Sequence, residues 1–449
     1  MGEGGTLMAE GLERGAPGTG VRLGPLSVVD DGGDVLVGRP DTGRFISVPP
    51  VGGVVVRALL AGASQEQAQQ AAEAFAGEPV DVPGFVAALV RLGLADSGTD
   101  SDAGTDGDTD CTGDTDADGD MRARRRPLRT AAVQQRRYVH GLSQRTARRI
   151  CGPAGWSVCA AALLFDAVCL VTQPWLRPVP AHVFFLPQAG LAVLLLRPAA
   201  YLVIGLHEAG HWVAARAAGL GARFGVDRRL YFLVFETDLS QIWSLPRRRR
   251  YGPLLAGLAV DGVSLALLLG VRMLAGGGPG GNPGGGPGGD GIDVVADGAA
   301  ALAFGVAASM VWQCMVFLRT DLYGVLVTAT GCRDLWRVKS LLLRRALHRL
   351  GPGEAEQLRE AHPADLRVGA WYRWVHLVGL VVAAGWFAAV LGPVLWTLLG
   401  WTVDGLRPGP GRAGFWGTLA VSAVLWLPQL SVAALWLRQT TMSRRGSVR

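Results

Sequence analysis

Beyond residue 150 the hydrophobic positions gather into long unbroken runs, whereas between residues 21 and 95 they follow short alternating and helical periods. Six runs, at 154–172, 188–218, 251–274, 296–318, 375–400 and 414–437, are each long enough to cross a hydrocarbon core of about 30 Å as a helix. In the earlier region Val35 and Val37, then Phe45, Ile46 and Val48, read as two short strands about a turn at 39–43. Three short helices are predicted to follow. The first covers 52–60. The second starts at Ser64, with Gln67 three residues on to close a capping box. The third starts at Asp81, has Pro83 in its first turn, and carries Phe85, Val86, Leu89 and Val90 on one face. The pattern predicts a mostly α, polytopic membrane protein with about six transmembrane helices and a small N-terminal α+β domain.

Composition supports the bilayer as environment. Hydrophobic residues make up 49% and charged residues 18%, against about 25% charged in an average soluble domain; mean hydropathy is +0.28. The net charge of +6 conceals segregation: 96–120 is acidic and 122–149 basic. The arginines flank the apolar runs, which excludes nucleic acid as the reason for the positive charge and fits cytoplasmic loops instead. Segments 122–149, 223–250, 319–373 and 438–449 are expected inside, and the loops near 173–187, 275–295 and 401–413 outside, with Arg407 and Arg412 against the trend. Both termini are then cytoplasmic. The N-terminal residues lack an apolar stretch, so no cleavable signal peptide is expected.

The chain divides at these changes of composition into a domain over 21–95, an acidic linker over 96–120, a basic cytoplasmic segment over 121–153 and a transmembrane domain over 154–440. The linker's Asp114, Asp116 and Asp118 suggest a calcium loop, but Arg125 stands where such a loop needs a bidentate Glu. The Gly- and Pro-rich stretch 276–291 is predicted to be a flexible connection. Six cysteines occur without CxxC spacing, which argues against a disulfide framework or a cysteine metal site.

The chemistry concentrates at His207-Glu208-Ala209-Gly210-His211 within the second run. Histidines four apart share a helix face and can hold one Zn²⁺. Glu208 lies beside that face, where a carboxylate can take a proton from water activated by the metal. Two imidazoles and a carboxylate inside a span are costly unless they have a function. Zinc needs a third protein ligand, and the intramembrane carboxylates Asp166, Asp261, Asp297 and Asp321 are the candidates.

These residues resemble the site-2 protease family of intramembrane metalloproteases, which pairs HExxH on one span with an Asp on a later one. Within that family, a peptide zinc metalloprotease branch has aromatic residues after the Asp, similar to Phe317-Leu318-Arg319-Thr320-Asp321-Leu322-Tyr323-Gly324 here. No Asn-Pro precedes Asp321, and Leu322 stands where the family carries Gly. The resemblance implies zinc held by His207, His211 and Asp321, with Glu208 as the catalytic base. Asp261, in Val260-Asp261-Gly262, is the alternative third ligand. Two weaker similarities are a strand-forming stretch at 224–243 and Gly252-Pro253 at the opening of the next span.

The N-terminal pattern resembles a second family. Val51-Gly52 leading to Leu60-Ala61-Gly62-Ala63-Ser64, then Asp81-Val82-Pro83-Gly84-Phe85 leading to Gly93-Leu94, is similar to the PqqD-like recognition element, a winged-helix domain that binds leader peptides by strand addition. The pair of resemblances implies cleavage of the leader from a ribosomally synthesised, post-translationally modified peptide, the daptide type being one such class. Two other readings stay open: a non-catalytic membrane peptide-binding or immunity module, and regulated cleavage of a membrane-bound regulator.

Overall fold

Alternating valines close the first sheet. In the computed structural model, which describes residues 21–23, 26–31, 33–40, 44–97, 141–229, 232–275 and 291–446, β2 (Ser27–Asp31), β3 (Asp34–Arg39) and β4 (Arg44–Val48) form an antiparallel meander; β1 (Val21–Leu23) lies outside it. Val35 pairs with Val48, and Val37 lies between Val28 and Ile46. The side chains of Val35, Val37 and Val48 bury against Val56, Leu89 and Leu94. Each such burial contributes on the order of 2 kcal/mol. The sequence predicts two strands here. The additional strand, β2, ends in Asp30-Asp31, and this polar end hides its two valines from an alternation count. The tip of the predicted 39–43 turn, residues 41–43, lies outside the described residues, as do the linker and basic segment from 98 to 140 and the glycine-rich stretch 276–290.

Helices α1 (Pro50–Leu60), α2 (Gln65–Ala76) and α3 (Val82–Arg91) cover the sheet, and β5 (Ala95–Ser97) returns antiparallel to β1. Gly53 lets α1 approach, since a Cβ there would lie 2.5 Å from Val35 Cγ2. A second core joins Val55, Ala68, Ala72, Val82 and Val86. Ser64 and Gln67 form the reciprocal capping box of α2, and the Asp81 carboxylate accepts from Gly84 N.

The chain separates into two units, residues 1–136 with 243–246 and residues 137–242 with 247–449. In the second, α4 (Gln144–Ile150) precedes α5 (Pro153–Thr172) and α6 (Ala189–Ala217). The hairpin β6 (Arg223–Arg229) and β7 (Phe232–Asp238) follows, then α7 (Arg247–Leu274), α8 (Gly291–Gln313), α9 (Asp321–Thr330), α10 (Leu335–Ala346), α11 (Pro352–Arg359), α12 (Pro363–Leu406) and α13 (Ala413–Gly446). The basic segment is therefore helical where it reaches the membrane unit. Arg148 Nε donates to Ala217 O, and Arg216 donates to Leu142 O, tying α4 to the end of α6.

Five helices among the described residues are long and apolar enough to cross a membrane: 144–172, 189–217, 247–274, 294–313 and 363–406. The sixth predicted span, 414–437, falls on α13, whose described apolar stretch Ala413–Leu427 is shorter than a span. Apolar side chains point outward along these helices, Leu164 at 67%, Val171 at 73% and Val381 at 73% exposure. Water would penalise such faces and lipid favours them, so the molecule is built for a bilayer. The predicted run 296–318 ends early, because α8 stops at Gln313 and the chain turns before α9. The 44 residues of α12 span about 66 Å, so one or both of its ends project beyond a core of about 30 Å.

Ser64→Ala removes one of the two capping-box hydrogen bonds of α2, worth about 1 kcal/mol. Hydrogen exchange of the full chain should show the first-turn amides of α2 exchanging about fivefold faster, with α3 unchanged. Equal exchange in α2 would show that the cap carries no stability.

Candidate metal centre

The site forms where α6 crosses α7. The two helices touch through glycines: a Cβ on Gly210 would meet Val260 Cγ2 at 2.7 Å and Ala256 O at 3.0 Å. One on Gly257 would lie 2.4 Å from His211 Nε2 and 2.6 Å from His207 Nε2. The histidines thus occupy the volume that the missing side chain leaves. Both are buried.

Each ring is held from behind by α7. His211 Nδ1 is 2.7 Å from the Pro253 carbonyl oxygen, and His207 Nδ1 is 2.9 Å from Asp261 Oδ2. A carbonyl only accepts, so His211 Nδ1 carries its proton, and an ionised Asp261 fixes His207 in the same tautomer. The Nε2 atoms of neutral rings are then both acceptors, yet they lie 3.2 Å apart. Asp321 Oδ2 completes the triangle, 3.2 Å from His207 Nε2 and 3.1 Å from His211 Nε2. Three acceptors converge on one point. A single proton can serve these contacts only in part, whereas a cation satisfies all three.

The separations suit such a cation. Ligand atoms about 2.0–2.1 Å from a tetrahedral zinc lie about 3.3 Å from one another. Two imidazoles with one carboxylate, backed by acceptors on the distal ring nitrogens, are a donor set that zinc accepts. His207, His211 and Asp321 form a group among the described residues whose ligand atoms could hold a metal ion.

Of the sequence candidates, Asp321 meets the Nε2 atoms of both histidines and Asp261 the opposite nitrogen of His207. Asp166 is buried on α5 beside Gly262 of α7, with neither carboxylate oxygen paired, and is not one of the three converging groups. Asp321 begins α9 and is positioned by the turn before it. Its N–H donates to Gln313 Oε1, and Thr320 Oγ1 donates to Gln313 O. The connection is braced from α12, where Tyr372 donates to Val316 O, His376 Nδ1 lies 3.0 Å from Phe317 O, and Phe317 packs where a Gly379 Cβ would be.

Glu208 follows His207 on α6 and is clasped by β7. Thr237 N donates to Glu208 Oε2 at 3.1 Å, and Thr237 Oγ1 donates to Glu208 O at 2.7 Å. The predicted strand stretch thus anchors the acid next to His207. Sequence reasoning did not assign Gly257, the Pro253 carbonyl, Gln313 or Thr237 to the site. The spacing Pro253–Gly257–Asp261, two successive steps of four, was the available signal, since it places all three on one face of α7. Comparison with protein families, with curated proteins and with solved structures finds no match to this chain.

Gly257→Ala should abolish stoichiometric divalent metal by elemental analysis of the purified protein, while Gly270→Ala, whose Cβ meets nothing, should retain it. Asp261→Asn keeps an acceptor but loses the charge, so zinc affinity in a competition titration should fall about 10–100-fold. Affinity equal to wild type would mean that Asp261 does not tune His207.

Proposed function

We propose that the protein is an intramembrane zinc metalloendopeptidase of the site-2 protease type. The observation that carries this reading is the convergence of three acceptor atoms, from His207, His211 and Asp321, next to a Glu208 carboxylate fixed by a neighbouring strand. Bound zinc supplies a Lewis acid that polarises the scissile carbonyl and brings the pKa of a coordinated water close to 7.

The chain's residues perform the proton traffic. Glu208 accepts a proton from the attacking water and returns it to the leaving amine. Thr237 holds one oxygen of that carboxylate and leaves the other for the proton. Asp261 and the Pro253 carbonyl keep both histidines in the tautomer that presents Nε2. The substrate segment is extended or locally unwound, since a helix hides its carbonyls; the β6–β7 hairpin beside Glu208 offers backbone groups for such a strand.

The N-terminal unit suggests the substrate class. A meander with β2 and β4 at its edges, backed by three helices, suits a winged-helix domain that takes a leader peptide by strand addition. On this reading the enzyme removes the leader from a ribosomally synthesised, modified peptide. On this reading its spans are oriented with both termini in the cytoplasm, the orientation that the basic flanks favour.

The test compares wild type with Glu208→Gln in detergent, measuring bound zinc and cleavage of the precursor peptide encoded beside the protein. Zinc should be equal in both, and cleavage should fall by about 10²–10⁴-fold in the variant. Cleavage indifferent to the substitution would remove Glu208 from the chemistry, and metal-free wild type would reduce the His207–His211 pair to a structural contact.

A further inference from the structure

Away from the metal centre, a second polar cluster lies between α9, α10 and α12, and the zinc reading leaves it without a role. Lys339 is the only lysine of the chain, and it sits where the amphipathic pattern of α10 calls for a hydrophobe. Leu335, Val338 and Leu342 share its buried face, which packs closely on α12 at Gly369, where a Cβ would meet Leu342 Cδ1 at 3.0 Å. Only 4% of Lys339 is exposed.

Its ammonium has an aromatic partner rather than an acidic one. Nζ stands 3.8 Å from the centre of the Trp336 ring, and the Arg319 guanidinium stands 5.6 Å from the same ring. The rings of Tyr323 and His376 meet Trp336 edge-on at 6.0 and 5.2 Å. Among the described residues, no carboxylate pairs with Lys339 or Arg319. The nearby acids are engaged as helix caps: Asp334 accepts from Arg337 N, and Asp365 accepts from Arg333 N and Asp334 N. Two cations therefore share one indole and lack a counter-anion. Burial lowers the Lys339 ammonium to about 8.

Position identifies the missing anion. Trp371 and Trp374 are half exposed on α12 within one or two turns of His376, and Arg373 lies 5.3 Å from the Trp374 ring. Exposed tryptophans interleaved with arginine mark the headgroup level of a bilayer. Trp336 packs against His376 at that same level, and Arg319, itself exposed, follows the end of the α8 span. Basic residues beside a span at headgroup level suit the phosphate of an anionic lipid headgroup.

We propose that Lys339, Arg319 and Trp336 form a binding site for the phosphate group of an anionic phospholipid. The ammonium and guanidinium contact the phosphate oxygens, and the indole carries both cations and borders the glycerol region. The site does not depend on metal.

The test is native mass spectrometry of the full chain in mild detergent, with phosphatidylglycerol, phosphatidylcholine or inorganic phosphate added in separate arms. Wild type should retain phosphatidylglycerol in preference to phosphatidylcholine. Lys339→Met and Arg319→Gln should each lower that retention about fivefold, the effect of one basic residue at a membrane surface. Arg349→Gln, an exposed basic residue outside the cluster, should leave it unchanged. Arg319 is exposed, so its variant carries the test if Lys339→Met fails to fold. Three results would overturn the proposal: no preference between the lipids, equal loss in Arg349→Gln, or Lys339-dependent retention of inorganic phosphate without retention of phosphatidylglycerol.

Discussion

Which ring nitrogen of each histidine is occupied decides everything else at this centre. The Pro253 carbonyl and the Asp261 carboxylate hold the two Nδ1 atoms. Both Nε2 lone pairs are thereby turned toward each other and toward Asp321. Without those two acceptors the rings could flip or exchange protons, and the polar groups would pair among themselves. With both rings neutral, the centre is an all-acceptor triangle in a low-dielectric setting, where an unpaired polar group is expensive.

Packing makes the arrangement possible. Helices in lipid gain little from apolar contact with each other and associate best where small residues let backbones approach. Gly210 and Gly257 lie at that approach between α6 and α7. The same closeness brings the imidazoles to the backbone of α7, so that a main-chain oxygen can serve as a hydrogen-bond partner. Helix packing and ligand orientation are one constraint at this crossing, and a methyl group added at Gly257 would break both.

Much of this was legible in the sequence, and the unread parts have physical reasons. The spacing of His207 and His211 and their place in an apolar run are local facts, so they could be read directly. The sequence names Asp321 as third ligand with Asp261 as the alternative, but depth along a span does not reveal which nitrogen a carboxylate faces. That depends on the crossing of α6 and α7 and on a turn 110 residues downstream of His211. Gly257 looked like any glycine in an apolar helix; its function appears only when another helix occupies the missing side chain's volume. In the N-terminal unit the capping box at Ser64 was readable because it is a four-residue pattern. Strand β2 was missed because its acidic end interrupts the alternation.

The connection from α8 to α9 shows how distant parts of the chain contribute to the centre. Asp321 approaches the histidines only because α8 stops at Gln313 and the chain turns through 314–320. That turn is not self-supporting. Its carbonyls at Val316 and Phe317 are bound by Tyr372 and His376, and its Phe317 ring fills the space left by Gly379. Helix α12 contributes no residue to the His207–His211–Asp321 group, yet three of its residues brace the turn that leads to Asp321. The same stretch of α12 borders the Trp336 cluster through His376 and Tyr372. The cationic face of α10 and the Asp321 carboxylate of α9 are therefore built on a common support, joined by the edge-on packing of Tyr323 against Trp336.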